Sequence, residues 1–197
     1  MAILSFRRLR GRDARWSRWV NASVACGLAV ATPQTGSASD PLFSAVPVTH
    51  VSGGVQAPDF ALATADGKKV ALAGLKGKVV LLNFWATWCP PCREEMPSME
   101  RLHQELREQG LAVLAVNIQE SPKQVARFMR DFRLTFPALL DGDATVSGLY
   151  GVRGLPSTYL VDRTGRVVGQ AVGARDWAGV PAKALVRSLL APVAARQ

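Results

Sequence analysis

The segment from residue 77 to residue 110 limits the possible folds of this chain more than any other. It begins with an apolar run, GKVVLLNFWA (77–86), that is rich in Val and Leu. Such a run predicts a strand that is buried on both faces of a sheet. The motif CPPC (89–92) comes next, followed by apolar residues at helical spacing that end near Gly110. Two of the three cysteines in the chain therefore fall where a buried strand leads into a helix.

The remaining pattern predicts an α/β fold with a mixed central sheet flanked by helices. Asp66 and Gly67 indicate an N-terminal β-hairpin extension. A second buried strand, LAVLAVNIQ (111–119), precedes a helix that begins after Ser121, and alternating strands and helices imply parallel pairing. A late hairpin adds an antiparallel edge to the sheet. The segment DWAGVPAKALVRSLLAPV (176–193) predicts a closing helix, which starts either at the beginning of this segment or after Pro181.

We expect four regions along the chain. Residues 1–39 carry six arginines and one acid around a short apolar stretch, which is typical of an export signal or an N-terminal anchor. Residues 40–55 contain prolines and glycines without a clear period and are interpreted as a linker. Residues 56–192 form the predicted domain, and residues 193–197 form a tail.

Composition and charge exclude several classes of protein. Hydrophobic residues make up 48% of the chain and charged residues 20%, which is a globular rather than a disordered balance. The net charge is +9, but much of it lies in residues 1–39, and no basic stripe with interleaved aromatic residues is present. We therefore expect no binding of nucleic acid.

The position of the cysteine pair suggests thiol chemistry. A thiolate of Cys89 at a helix start is stabilised by the partial positive charge there, which lowers the pKa of such a thiol. Cys92, one turn later, is close enough to form a disulfide and is more shielded. Cys89 is then suited to attack a disulfide and Cys92 to resolve the mixed disulfide.

Other uses of two cysteines remain open at this point. Zinc requires two further ligands, and His50 and His103 are poorly placed to supply them, so we expect no metal site. Soft thiolates also bind Cu(I), and a thiol peroxidase uses a single attacking cysteine, so copper delivery and peroxidase activity are alternative functions. A purely structural disulfide gains little from closing so short a loop.

Several motifs resemble the thioredoxin superfamily. The sequences APDF, FWATWCPPC, VNIQES and GLPSTYLVDRTG are similar to those of its exported branch, the TlpA/ResA and CcmG/DsbE-type reductases, over residues 56–190. The resemblance implies a thioredoxin-like fold and an enzyme that acts as a thiol–disulfide oxidoreductase. It implies no cofactor beyond a redox-active disulfide between Cys89 and Cys92.

The resemblance also assigns roles to residues around the cysteines. Pro156 is expected to be a cis-proline that faces the disulfide, with the backbone of Leu155 free to pair with an extended substrate. Trp88 and Pro90 are expected to contact substrate at the surface beside Cys89.

The resemblance places the proton-transferring acid at the end of the second buried strand, after the CPPC helix. Asn83 stands where cytoplasmic thioredoxins have a buried aspartate, and it cannot take a proton. Glu120 in VNIQES matches the acid of the exported branch, and we expect it beneath the cysteines, helping to move the proton of Cys92. Residues 93–95, the charged sequence REE, are expected to form a solvated helix face.

The resemblance further implies a location and partners. We expect the protein in the periplasm or at the outer face of the cytoplasmic membrane, where it reduces disulfides in exported proteins such as apocytochrome c. We expect a membrane protein with its own dithiol as the electron donor. We expect the chain to be a monomer.

Overall fold

The computed structural model describes residues 40–192, and the predicted export segment (1–39) and tail (193–197) lie outside these residues. Within the described residues, eight strands occur in chain order: β1 (Thr49–Gln56), β2 (Ala61–Ala63), β3 (Lys69–Ala71), β4 (Val79–Trp85), β5 (Leu111–Ile118), β6 (Ala138–Asp141), β7 (Ser157–Val161) and β8 (Arg166–Val172). The helices are α1 (Asp40–Ala45), α2 (Pro90–Leu106), α3 (Pro122–Asp131), α4 (Thr145–Leu149) and α5 (Val180–Leu190).

Six of these strands form a mixed sheet in the order β1-β8-β7-β4-β5-β6. The central strand β4 is fully buried, and it pairs parallel with β5 and antiparallel with β7. The strands β2 and β3 form the predicted hairpin, which contacts β6 through an isolated bridge between Thr64 and Leu139. The predicted mixed sheet with an N-terminal hairpin is therefore confirmed.

Alternate residues of β4 face two separate apolar layers, because side chains of a strand point to opposite faces in turn. Leu81 and Trp85 pack in the layer that contains residues of α1, α2, α3 and α5. Leu82 and Phe84 pack in the layer under the β2–β3 hairpin and α4. The carboxyl ends of the parallel strands β4 and β5 meet at one edge of the sheet, and α2 begins there.

The prediction that residues 40–55 form a linker is wrong. They form α1 and most of β1, and β1 pairs antiparallel with β8. Phe43 packs so closely on Gly169 that a Cβ added there would lie 2.7 Å from its ring. The sequence of β1 does not show the usual alternation of apolar and polar residues. Gly53 and Gly54 interrupt it, because they adopt positive φ where the pairing with β8 shifts register.

The late hairpin also occupies a different place from the one predicted. Its two strands, β7 and β8, lie inside the sheet, because β1 covers the outer side of β8. The closing helix α5 lies within the predicted segment 176–193 and begins at Val180, between the two predicted starts. No helix within residues 40–192 combines the length and apolarity that a membrane crossing requires.

Candidate active site

Two cysteines at the start of α2 are joined by a disulfide. Cys89 immediately precedes the first helical residue, and its Sγ atom lies 2.14 Å from that of Cys92, with the Cα atoms 5.3 Å apart. Cys92 is fully buried, whereas Cys89 retains 4% exposure. Cys89 is therefore the more accessible residue of the two, and the pair is suited to cycle between disulfide and dithiol.

The two prolines of the motif limit the hydrogen bonds that a Cys89 thiolate can accept. Pro90 and Pro91 occupy the first two helical positions and have no backbone N–H. The N–H of Cys92 is the first one available, and it donates to Cys89 Sγ at 3.3 Å. The positive end of the helix macrodipole also acts on this sulfur. A Cys89 thiolate is thus stabilised by one backbone donor and the helix field.

The loop before β7 reaches the same edge of the sheet as the cysteines. The Leu155–Pro156 peptide bond is cis, and the next residue, Ser157, pairs with Phe84 near the end of β4. Pro156 is buried and Leu155 is half-buried. Within the described part of the chain, the backbone N–H and C=O of Leu155 make no hydrogen bond. These groups are available to an extended peptide that pairs with this edge.

The two tryptophans before the motif lie in different environments. Trp88 is 68% exposed and, with the exposed Pro90, forms the surface next to Cys89. Trp85 is fully buried, with its ring centroid 4.8 Å from that of Phe128. Trp88 and Pro90 are therefore accessible to a macromolecular substrate, whereas Trp85 belongs to the core beneath them.

Glu120 anchors the loop that leads to Cys89. Its carboxylate accepts hydrogen bonds from the backbone N–H of Thr87 at 2.7 Å, from the Thr87 hydroxyl, and from Asn117 Nδ2 at 2.6 Å. Gln119, just before it, adopts a φ of 57°, which turns the chain sharply at the end of β5. Glu120 is half-buried. These contacts position the Cys89 loop, and a role of Glu120 in proton transfer stays a prediction.

A second carboxylate is buried near the disulfide. Glu95 has an exposed fraction of only 2%, so the prediction of a solvated face for residues 93–95 is wrong at this position, although Arg93 and Glu94 are exposed. On a helix, residues three apart are neighbours and side chains lean towards the N-terminus. Glu95 therefore leans towards Cys92, which is also buried.

Three N–H groups donate hydrogen bonds to the Glu95 carboxylate. One oxygen accepts a hydrogen bond from Asn83 Nδ2 at 2.7 Å. The other accepts bonds from Trp177 Nε1 and from the backbone N–H of Arg175, each at 3.1 Å. Asn83 Nδ2 also donates to Thr158 Oγ1 at 2.9 Å. The acid is thus linked to the central strand, to β7 and to the loop that follows β8.

Burial controls the proton affinity of this acid. Removal from water raises the pKa of Glu95 from 4.5 to about 7, and hydrogen bonds from Asn83, Arg175 and Trp177 together with the Arg175 charge oppose the rise. A cavity of about 310 Å³ opens beside it, lined by Glu94, Glu95, Ser98, Arg101, Ala174, Arg175 and Asp176. Glu95 can therefore exchange a proton near neutral pH, and the cavity offers a route to water.

The helical spacing of α2 contained a signal for this residue that sequence reasoning missed. Glu95 falls in the same stripe as Cys92, Met96 and Met99, which all face the core. Its charge favoured a solvent position, whereas its partners Arg175 and Trp177 lie about 80 positions later in the chain. Local sequence gives no sign of such distant donors.

Metal ligands do not cluster in the described part of the chain. Within residues 40–192, no group of three or more His, Cys, Asp or Glu side chains is placed to hold a metal ion. His103 lies on α2, where its ring packs edge-on against Phe136 at 6.1 Å. The site therefore consists of the two cysteine sulfurs, the buried Glu95 and the unpaired backbone of Leu155.

Comparison with known proteins supports the same chemistry. A profile of the AhpC/TSA family matches residues 54–170. The thiol-disulfide oxidoreductase ResA of Bacillus subtilis (strain 168) is 42% identical over 123 residues, which cover 62% of this chain and 69% of that protein. ResA of Bacillus thuringiensis (strain Al Hakam) is 42% identical over 120 residues, covering 61% of this chain and 69% of the relative.

Solved structures agree with this similarity. A crystal structure from Chlorobium tepidum, of a protein described as a thiol:disulfide interchange protein DsbE, superposes with a TM-score of 0.65 at 35% identity. The match covers 70% of this chain and 97% of that one. The predicted thioredoxin-like fold is therefore confirmed, and so is the resemblance to ResA and DsbE-type proteins.

Proposed function

Because the chain belongs to the AhpC/TSA family of thioredoxin-like proteins and is a thiol–disulfide oxidoreductase, we propose that it works mainly as a reductant of disulfides in exported proteins. The observation that carries the proposal is the disulfide between Cys89, at the start of a helix, and the fully buried Cys92. A pair with one reachable and one shielded sulfur suits a two-step exchange.

The reaction begins from the reduced pair. The Cys89 thiolate attacks one sulfur of the substrate disulfide, so that a mixed disulfide forms and the other substrate sulfur leaves as a thiolate that takes a proton. Cys92 then loses its proton and attacks Cys89 Sγ. The second substrate sulfur leaves and is protonated, and the Cys89–Cys92 disulfide remains. Two electrons have passed from the protein to the substrate.

In this scheme, Glu95 receives the proton of Cys92. A carboxylate whose pKa is near 7 exchanges protons readily at neutral pH, whereas a solvated glutamate is too weak a base. Glu95 follows Cys92 by one helical turn on the buried side of α2, and both residues are shielded from water. Ionised Glu95 takes the proton of Cys92 and becomes neutral, so the Cys92 thiolate that is left meets no carboxylate charge there as it attacks Cys89 Sγ.

The surface around Cys89 supports a protein substrate. The exposed Trp88 and Pro90 provide an apolar contact, and the unpaired backbone of Leu155 offers hydrogen bonds to an extended segment. We propose apocytochrome c and other disulfide-containing exported proteins as substrates, in the periplasm or at the outer face of the cytoplasmic membrane. A membrane protein with its own dithiol is proposed to return the electrons.

Trapping tests this function directly. The Cys92→Ala variant cannot resolve the mixed disulfide. We therefore expect it to accumulate covalent adducts through Cys89 when it is produced in cells that export it to the envelope. The adducts are separated under non-reducing conditions, released by dithiothreitol and identified by mass spectrometry. The matched control is Cys89→Ala/Cys92→Ala, which retains Cys26 and reports adducts unrelated to the site.

The identity of the trapped partners decides between outcomes. Cytochrome c precursors among the adducts support the proposed substrate, and other exported proteins support the reductase function with a different specificity. If Cys92→Ala traps nothing beyond the control, and the wild-type protein also fails to accelerate reduction of insulin disulfides by dithiothreitol, the proposed function is wrong.

A further inference from the structure

The side chain of Arg175 holds together two segments that are far apart in the sequence. Its Nη1 donates to the carbonyls of Gly173 and Ala174 at 3.0 and 2.9 Å. Its Nη2 donates to the carbonyls of Pro47 and Val172 at 2.9 and 3.1 Å, and Nε also donates to Pro47 at 3.3 Å. One half-buried guanidinium thereby fixes the chain after β8 to the connection between α1 and β1.

The segment that Arg175 fixes also carries two of the donors to Glu95. These are the backbone N–H of Arg175 itself and the indole N–H of Trp177, which is fully buried. Ser98 reinforces the segment, because its hydroxyl contacts the Arg175 carbonyl at 3.2 Å and accepts from the Trp177 N–H at 3.0 Å. The position of these donors on the carboxylate therefore depends on how the segment is held.

We propose that Arg175 is a positioning residue for disulfide exchange, which locks residues 172–177 onto the N-terminal segment so that both donors stay on Glu95. This inference rests on the proposed function of Glu95 as the proton acceptor of Cys92. Pro47 and the Arg175 loop both lie outside the region matched by the family profile, residues 54–170. The surroundings of the acid are thus completed by parts of the chain on either side of that region.

The charged groups around Glu95 determine the direction of the effect. The cavity beside it contains Glu94, Arg101, Asp176 and Arg175, and Arg101 pairs with the exposed Asp176 at 3.6 Å. The other groups near Glu95 carry no charge. Asn83 from β4 and Trp177 from the loop donate to its carboxylate, and Thr158 from β7 accepts from Asn83. On α2 itself, Cys92 lies one turn earlier and Ser98 donates to the Glu95 backbone carbonyl. Loss of Arg175 removes a positive charge and frees both donors, so Glu95 retains its proton to higher pH.

The pH profile of a single turnover tests the inference. The reduced full-length protein is mixed with a disulfide-bonded peptide between pH 5 and pH 9, and formation of the Cys89–Cys92 disulfide is followed by rapid quench. If the rate rises with pH in the wild type but not in Glu95→Gln, the rise reports the ionisation of Glu95. We expect Arg175→Ala to move the midpoint of this rise upward by about one pH unit. A shift of this size corresponds to the free energy of about one hydrogen bond to a charged group.

Two further variants separate positioning from charge. Arg101→Ala removes a positive charge from the same cavity and breaks only the exposed ion pair with Asp176 of the loop. We expect its midpoint to stay within about 0.3 unit of the wild type because exposed charges are well screened. Arg175→Lys keeps the charge but lacks the planar fork that reaches four carbonyls, so it should still show an upward shift. The double variant Arg175→Ala/Glu95→Gln should match Glu95→Gln alone.

The possible failures point to different errors. If Glu95→Gln keeps the wild-type profile, the proposed role of Glu95 is wrong and the inference falls with it. If the rise depends on Glu95 but both Arg175 variants keep the wild-type midpoint, only the inference is overturned. Should Arg175→Ala fail to fold, Arg175→Lys decides alone, because an upward shift supports the proposal and an unchanged midpoint overturns it.

Discussion

The free energy of unfolding of the wild-type protein should contain a contribution from Glu95 that decreases as the pH rises. Replacement of Glu95 by glutamine should remove this decrease. In the unfolded chain this carboxyl titrates at its usual pKa of 4.5, whereas burial raises its pKa in the folded protein to about 7. Between these two values the unfolded state is ionised and the folded state holds a proton. The free energy of unfolding therefore falls as the pH rises through this window. The decrease caused by Glu95 is complete above pH 7.

The size of the effect follows from the shift itself. One pKa unit corresponds to about 1.4 kcal/mol, so Glu95 lowers the free energy of unfolding by about 3 kcal/mol between pH 4 and pH 8. Glutamine has no charge to desolvate and loses this dependence. It also fits the site, because Asn83 Oδ1 is buried and has no hydrogen-bond partner among residues 40–192, so it can accept from the new amide after the Asn83 side chain rotates.

Urea denaturation of the oxidised protein measures this difference. Wild type, Glu95→Gln and the control Glu94→Gln, which changes an exposed neighbour, are compared at unit steps from pH 4 to pH 8. We expect the wild type and Glu94→Gln to lose about 3 kcal/mol more than Glu95→Gln over this range. An equal loss in all three proteins would refute the claim that Glu95 is buried with a raised pKa.

Three other substitutions test separate parts of the structure. Gly169→Ala places a Cβ 2.7 Å from Phe43, so urea denaturation should show a free energy of unfolding lower by about 1–3 kcal/mol, and an unchanged value would contradict the packing of α1 on β8. Pro91→His restores a backbone N–H near Cys89 Sγ and stabilises the thiolate, so redox titration should give a more oxidising potential than the wild type, whose own value should lie well below about −120 mV. Thr87→Val removes a hydroxyl that donates to Glu120 and should lower the free energy of unfolding by about 1 kcal/mol in urea, with no change if this anchor is unimportant.

Local patterns in the sequence predicted the elements that carry the cysteines. The apolar run of β4 and the helix-start signals of Pro90 and Pro91 depend on neighbouring residues only, so the position of Cys89 could be inferred directly. Ser121 likewise caps α3 through a capping box, as its place before Pro122 indicates.

The errors arise where distant parts of the chain meet. The segment 40–55 has no period because two glycines interrupt β1, and its place in the sheet depends on β8, more than 100 positions later. The sequence predicts a solvated position for Glu95, because a charge on a helix usually faces water. Its burial depends on Asn83 and on donors that follow β8, and sequence spacing cannot show that these groups converge on one carboxylate.

The reactivity of the two cysteines tests the central claim most directly. Cys89→Ala and Cys92→Ala, both in a Cys26→Ala background, are reduced and mixed with 5,5′-dithiobis(2-nitrobenzoate) at pH 7, and the release of thionitrobenzoate is followed by stopped flow. Because Cys89 is the more accessible residue of the two and lies at the start of the helix, Cys92→Ala should react at least about tenfold faster than Cys89→Ala. Equal rates, or faster reaction of Cys89→Ala, would contradict the assignment of Cys89 as the attacking sulfur.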